Sequence, residues 1–182
     1  DGVTELTPPA LVKAILKAPV DLLWNGGIGT YVKAAGETNA EVGDKANDAV
    51  RVNGAEVRAR CAGEGGNLGW TQLGRVEYAA SGGRVNTDFI DNSAGVDTSD
   101  HEVNIKILLA DQIARDALTL EERNELLASM TDEVAQLVLA HNVDQNLALS
   151  NSMSRAGELT GAYEGWMHAL EEAGYLDRQI EF

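Results

Sequence analysis

"VDLLWNGGIG", Val20 to Gly29, runs an apolar stretch ending in Trp24 straight into a loop with three glycines. It reads as a buried strand that empties into a tight turn. Upstream, Thr7 stands before Pro8, the order of an N-cap followed by proline at N1. "PPALVKAILKA" is therefore expected as a short helix, ended by Pro19. Downstream, "EVGDKANDAV" reads as a weak helix. "EVRARCA" reads as a strand from the alternation of Val57, Ala59 and Cys61, with Cys61 packed in the core. "GEGGNLGW" is a loop, and Thr71 caps a helix through Tyr78 that Gly82 and Gly83 close. "RVNTDFI" is expected as a third strand or extended segment. Strand, glycine loop, helix, strand is the rhythm of a parallel sheet with helices on its faces. Ligands of such sheets gather beyond the carboxyl ends of the strands, where the loops after Trp24, Ala62 and Asp91 would meet.

Fifteen of the 19 glycines precede Val96, and beyond Ser99 the pattern turns helical. Val103, Ile107, Leu108 and Ala114 share roughly one face of a helix. Thr119 and Glu122 have the spacing of a capping box. Val134, Leu137, Val138 and His141 form a stripe at i, i+3, i+4 and i+7, with His141 read as a satisfied structural histidine. Gly157, Gly161 and Gly165 are weak points of a further helix, and Gly174 is a C-cap. Two regions are thus expected: residues 1–98, a partial dinucleotide-binding region, and residues 99–182, a helical C-terminal segment.

The 182 residues carry 14 basic and 29 acidic side chains, a net charge of −15. Phosphate backbones are bound by clustered Lys and Arg, so nucleic acid is excluded as a partner, as is an anionic membrane surface. The single cysteine forms no internal disulfide and points to a reducing compartment, the cytoplasm. No apolar run reaches the roughly 18–20 residues that span a bilayer. There is no H-E-x-x-H, no paired cysteine and no EF-hand loop, so no metal is expected. The G-x-G-x-x-G pattern counted from Gly63 and Gly65 needs glycine at 68, where Leu68 stands. The chain begins with Asp1, not Met, and is read as a piece of something longer.

"DNSAGVDTSDHE", Asp91 to Glu102, holds the most informative spacing. Ser99 and Glu102 form S-x-x-E, a capping box at the start of a helix. Free amides and the positive dipole end there favour a carboxylate, and Gly95 lets a ligand approach the backbone. Asp97 and Asp100 tell against a phosphate.

These residues carry a resemblance. Glu64-Gly65-Gly66-Asn67, then Asp88, Asn92, Ser93, Ala94, Gly95, Val96, Ser99 and Glu102, resemble the E-G-A-N loop and the D-x3-N-A-G-G-V-x-x-S-x-x-E segment of glutamate dehydrogenases. The second motif keeps every offset. The chain from Leu6 to Phe182 is similar to the large NAD-specific bacterial members, of which it would be an internal segment. Gly66 replaces the commoner Ala, and Ser93-Ala94 replaces Ala-Gly; both exchanges stay small. The resemblance implies a partial Rossmann-like parallel sheet and NAD as cofactor. It implies oxidative deamination of L-glutamate to 2-oxoglutarate and ammonia, within a homo-oligomeric parent. It places Gly65, Gly66, Asn67 and Asn92 at the cofactor, the two asparagines beside the nicotinamide ribose. Val96 and Ser99 would line the substrate, Ser99 donating to its far carboxylate. The catalytic lysine and aspartate of the family have no match here, so the isolated chain is expected to be inactive, its acid–base groups and cofactor cradle supplied by the rest of the parent. Two other readings stand beside this one: an interaction or regulatory module that kept the fold without the chemistry, and a leucine- or phenylalanine-type amino-acid dehydrogenase. Ser99 discriminates the last, since a site built for a side-chain carboxylate rejects analogues lacking it.

Overall fold

A computed structural model describes residues 5–181. The chain divides into two compact units, Asp1–Asn142 and Val143–Phe182. The described residues are mixed α/β and mostly helical, with two short parallel sheets among them. Among the described residues, no helix is long and apolar enough to cross a membrane.

Helix α1, Pro8–Leu16, starts on Thr7 with proline in its first turn, as expected. Strand β1, Leu22–Asn25, pairs in parallel with β4, Cys61–Glu64, in the register Leu22↔Cys61 to Asn25↔Glu64. The two strands therefore end side by side, and their glycine loops leave from the same edge. Parallel pairing needs a long crossover. Here the crossover contains β2 (Val32–Lys33), the single turn α2 (Asn39–Val42) and β3 (Val52–Asn53); β2 and β3 pair in parallel with each other. The weak helix expected from Glu41 is thus one α-turn and one 3-10 turn, because Gly43 adopts φ +75° and stops α2 at once.

The core of this region is Val32, Val52, Val57, Ala59, Ala62, Trp70 and Tyr78. Trp70 and Tyr78 pack with ring centroids 5.0 Å apart, and the Tyr78 hydroxyl donates to the Ala59 carbonyl at 2.8 Å. Helix α3, Gln72–Ala80, is capped by Thr71, whose hydroxyl oxygen accepts from the Gly74 amide; Gly82, at φ +94°, closes it.

Several expectations are corrected. Strand β1 is half-exposed rather than buried: Leu22 and Trp24 are 55% and 57% exposed, because only one of its faces meets the core. The strand expected over Val57–Cys61 begins at Cys61. Val57 and Ala59 are buried in the extended approach to it, which explains the alternation that signalled a strand. Cys61 is exposed, since β4 turns Ala62 inward in its place. Of the third strand only Arg84 remains, bridged in parallel to Cys61. Residues Asp88–Asp91 instead form the short helix α4, followed by α5, Ser93–Ala114.

Helix α6, Leu120–Ser129, begins with the expected capping box: Thr119 accepts from the Glu122 amide, and Glu122 accepts from the Thr119 amide and hydroxyl. Those two donors hold the Glu122 carboxyl below its ordinary value. A depressed carboxylate gives stability above its unfolded pKa and loses it as pH falls through the folded one. Acidification should therefore fray the start of α6, and Thr119→Ala should return the Glu122 carboxyl toward its ordinary value in an NMR titration. An unmoved Glu122 would refute the box. Helix α7, Thr131–Ser154, follows. Val138 of α7 and Leu109 of α5 are the buried apolar residues of these long helices. His141 finds the partner expected of a structural histidine: its Nδ1 lies 2.7 Å from Asp97 Oδ2, and His101 Nδ1 lies 2.9 Å from Asp97 Oδ1. In the second unit, α8 spans Ala156–Glu172 and ends at Gly174, φ +75°. Arg178, in the last turn α9 (Arg178–Glu181), pairs with Glu171 at 2.5 Å.

Candidate functional site

The site forms where β1 and β4 end. The loop Glu64–Gly69 doubles back beneath the end of β1: the Gly65 amide donates to the Asn25 carbonyl at 2.9 Å, and the Gly66 amide to the same oxygen at 3.4 Å. The glycines are demanded by close approach. A Cβ on Gly65 would stand 2.8 Å from Trp24 Cζ2, and one on Gly66 would stand 2.5 Å from the Gly27 carbonyl oxygen. Glycine is needed here first for the loop's own packing against the segment after β1.

Asn92, the residue before α5, brings the third loop to the first two. Its Nδ2 donates to the Gly66 carbonyl at 2.9 Å and to Asn67 Oδ1. Gly65, Gly66, Asn67 and Asn92, the residues that the resemblance implied for the cofactor, thus lie together at this strand end. The Asn92 Oδ1 acceptor and the Asn67 Nδ2 donor have no protein partner among the described residues. An open donor beside an open acceptor at a strand-end loop fits ribose hydroxyls and a carboxamide.

Val96 and Ser99 lie farther along α5. The capping box at Ser99 is not formed: α5 starts at Ser93, so Ser99 and Gly95 are inside the helix. A capping residue must sit outside helical geometry, and nothing between Asn92 and Ser99 breaks the helix. Hydroxyls are absorbed within it, as where Thr98 donates to the Ala94 carbonyl at 2.7 Å. Glu102 turns away from Ser99 to pair with Lys106, which holds its carboxyl below its ordinary value. Asn92, Val96 and Ser99 still fall at i, i+4 and i+7, on one face of the helix. Val96 and Ser99 are exposed. Asp97 projects elsewhere, held by its two imidazoles.

Beneath the loop lies a buried ion pair that spacing did not single out. Glu64 is 0% exposed; its Oε1 accepts from the Gly69 amide at 2.7 Å and its Oε2 from Arg75 Nη2 at 2.5 Å. Burial pushes the Glu64 carboxyl up, against the pull of Arg75. Asp91 Oδ2 accepts from the Glu64 amide at 3.0 Å and Asp88 Oδ2 from the Leu68 amide at 2.7 Å. Glu64 and Asp88 belong to the motifs, but Arg75 and Asp91 carry no signal that a single sequence reveals.

Residues 2–152 match the family model of the bacterial NAD-glutamate dehydrogenase catalytic domain. The chain belongs to that family. It is 59% identical over 177 residues to the NAD-specific glutamate dehydrogenase of Pseudomonas aeruginosa, which covers 97% of this chain and 11% of that protein. It is 57% identical over 180 residues to that of Halomonas elongata and 56% identical over 180 residues to that of Mycobacterium tuberculosis, covering 98% and 99% of this chain. The chain spans 11% of the length of each of these relatives. Within the family, the resemblance carried by the two motifs extends over nearly the whole chain.

Proposed function

We propose that this chain is the cofactor- and substrate-contacting segment of an NAD-dependent glutamate dehydrogenase, which converts L-glutamate to 2-oxoglutarate and ammonia. The observation that carries this reading is Asn92 donating to both Gly66 and Asn67, which joins the two motifs at the carboxyl ends of parallel strands. Residues 1–98 then form the later half of a Rossmann-like region and residues 99–182 its helical continuation. NAD supplies the hydride acceptor. Asn67 and Asn92 hold its nicotinamide ribose side through the open donor and acceptor, with Gly65 and Gly66 beneath. Val96 gives the substrate an apolar wall, and the Ser99 hydroxyl donates to its far carboxylate. Because Ser99 sits two turns into α5, that contact rests on the hydroxyl and on the shared helix face, not on the helix dipole. Proton transfer falls to groups elsewhere in the parent polypeptide, and a cytoplasmic homo-oligomer is the setting we infer for it.

The test is NADH formation by the parent protein with L-glutamate, L-leucine and L-aspartate, comparing wild type with Ser99→Ala. Loss of one hydrogen bond to a charged group, about 1.5–3 kcal/mol, predicts a drop in kcat/KM for glutamate of about tenfold to a hundredfold. Equal turnover by the variant removes Ser99 from the substrate. No turnover of any amino acid favours the interaction-module reading.

A further inference from the structure

We propose that Asp88 and Asp91 are positioning residues for the cofactor loop, acting through the backbone amides of Leu68 and Glu64 that they hold. The inference rests on the functional reading above. The loop Glu64–Gly69 is held at its two ends by carboxylates and left free of them in the middle. At its start, the Glu64 amide donates to Asp91 Oδ2 at 3.0 Å. At its finish, the Leu68 amide donates to Asp88 Oδ2 at 2.7 Å and the Gly69 amide to Glu64 Oε1 at 2.7 Å. Arg75 ties together the two carboxylates at the finish, with Nη2 2.5 Å from Glu64 and 3.7 Å from Asp88. Asn86 Nδ2 steadies Asp91 through its other oxygen at 3.3 Å.

The arrangement has two consequences. Leu68 takes a left-handed backbone, φ +59°, which a branched apolar residue adopts only when its surroundings impose it. Its amide is the one Asp88 holds. The second consequence concerns coupling. Asp88 and Asp91 are the first and last residues of α4, and α4 leads through Asn92 into α5. The carboxylates that shape the cofactor loop thus also set where Asn92, Val96 and Ser99 begin. Asn67 exposes its open donor only if the loop ends stay fixed. Neither aspartate has to touch a ligand for this, and their negative charge is spent on amides and Arg75 rather than aimed at the anionic cofactor.

The experiment uses the parent protein, with initial-rate kinetics and a fluorescence titration with NADH. Asp91→Ala leaves the Glu64 amide without its acceptor, which should raise KM for NAD and the NADH dissociation constant about tenfold, with kcat within a factor of about three and the melting temperature little changed. Asp91→Asn keeps an acceptor and should restore most of the loss. Asp88→Ala, which cuts the other anchor, should repeat the pattern. A purely packing role would lower the melting temperature without separating KM for NAD from kcat. Unchanged NADH affinity in both alanine variants overturns the proposal. If those variants fail to fold, the asparagine pair decides: a neutral amide accepts more weakly, so NADH should bind about two- to threefold less tightly, and wild-type affinity overturns the proposal. A wild-type parent that binds NADH but ignores glutamate refutes the substrate reading alone. One that binds no NADH refutes both.

Discussion

Replacing Glu64 with alanine is expected to cost the 182-residue chain about 3–5 kcal/mol of folding stability, since removing one member of a buried ion pair strands the other. Arg75 is 7% exposed, and after Glu64→Ala its remaining carboxylate would be Asp88, 3.7 Å away. The Gly69 amide would lose its acceptor as well. Such a loss is a large part of the 5–15 kcal/mol typical of a domain. A urea titration followed by circular dichroism should show the midpoint collapse, and a shift below about 1 kcal/mol would mean that Glu64 is not buried with Arg75. Glu64→Gln should be milder, because the amide oxygen can still receive the Gly69 N–H. It should also change the pH profile. The folded pKa of Glu64 is raised above its unfolded value by burial. The protonation-linked part of its contribution is therefore fully present below the unfolded pKa and is lost as pH rises through the folded one. Glutamine has no such dependence, so the wild type minus variant difference should shrink from acid toward neutral pH.

The second large effect is expected at Gly66. Alanine is the commoner residue of the family motif at this position, yet Gly66→Ala should be destabilising in this chain by about 1–3 kcal/mol. The added Cβ would stand 2.5 Å from the Gly27 carbonyl oxygen, a backbone atom that no rotamer change can move aside. One of the two loops must shift, and Asn92 is bound to the Gly66 carbonyl. In the parent protein the same substitution should therefore weaken NADH binding about tenfold or more, each tenfold corresponding to about 1.4 kcal/mol. Wild-type stability and affinity in Gly66→Ala would show that the Gly26–Gly29 loop yields easily. The companion change Gly65→Ala meets a side chain, Trp24, and should be the milder of the two.

Where the sequence succeeded and where it failed follows from the range of the interactions. Thr7-Pro8, Thr71, the Thr119–Glu122 box and Gly174 are all local devices, and each stands where spacing placed it. Ser99–Glu102 has the same spacing as Thr119–Glu122 and fails. Before Thr119 the chain is broken by Asp116 at φ +56°, whereas before Ser99 the helix is already running. A capping box needs an interruption, and its four-residue pattern does not encode one. Alternation over Val57, Ala59 and Cys61 identified two buried side chains correctly, but their burial comes from packing against Tyr78 and Trp70 and not from strand pairing.

By itself the sequence determined the local starts and stops, the α/β character of the glycine-rich part, the helical remainder and, through two spaced motifs, the family. These are carried by backbone preference, by periodicity and by residues a few positions apart. Only the tertiary structure decided that Gly65 and Gly66 are required by Trp24 and Gly27, that Ser99 lies inside α5, and that Glu64, Arg75, Asp88 and Asp91 together brace the loop. Apart from Ser99, whose place follows from the unbroken helix that starts at Ser93, each of those depends on segments more than ten residues apart meeting at the ends of two parallel strands. Which buried carboxylate finds which amide or guanidinium is set by that meeting.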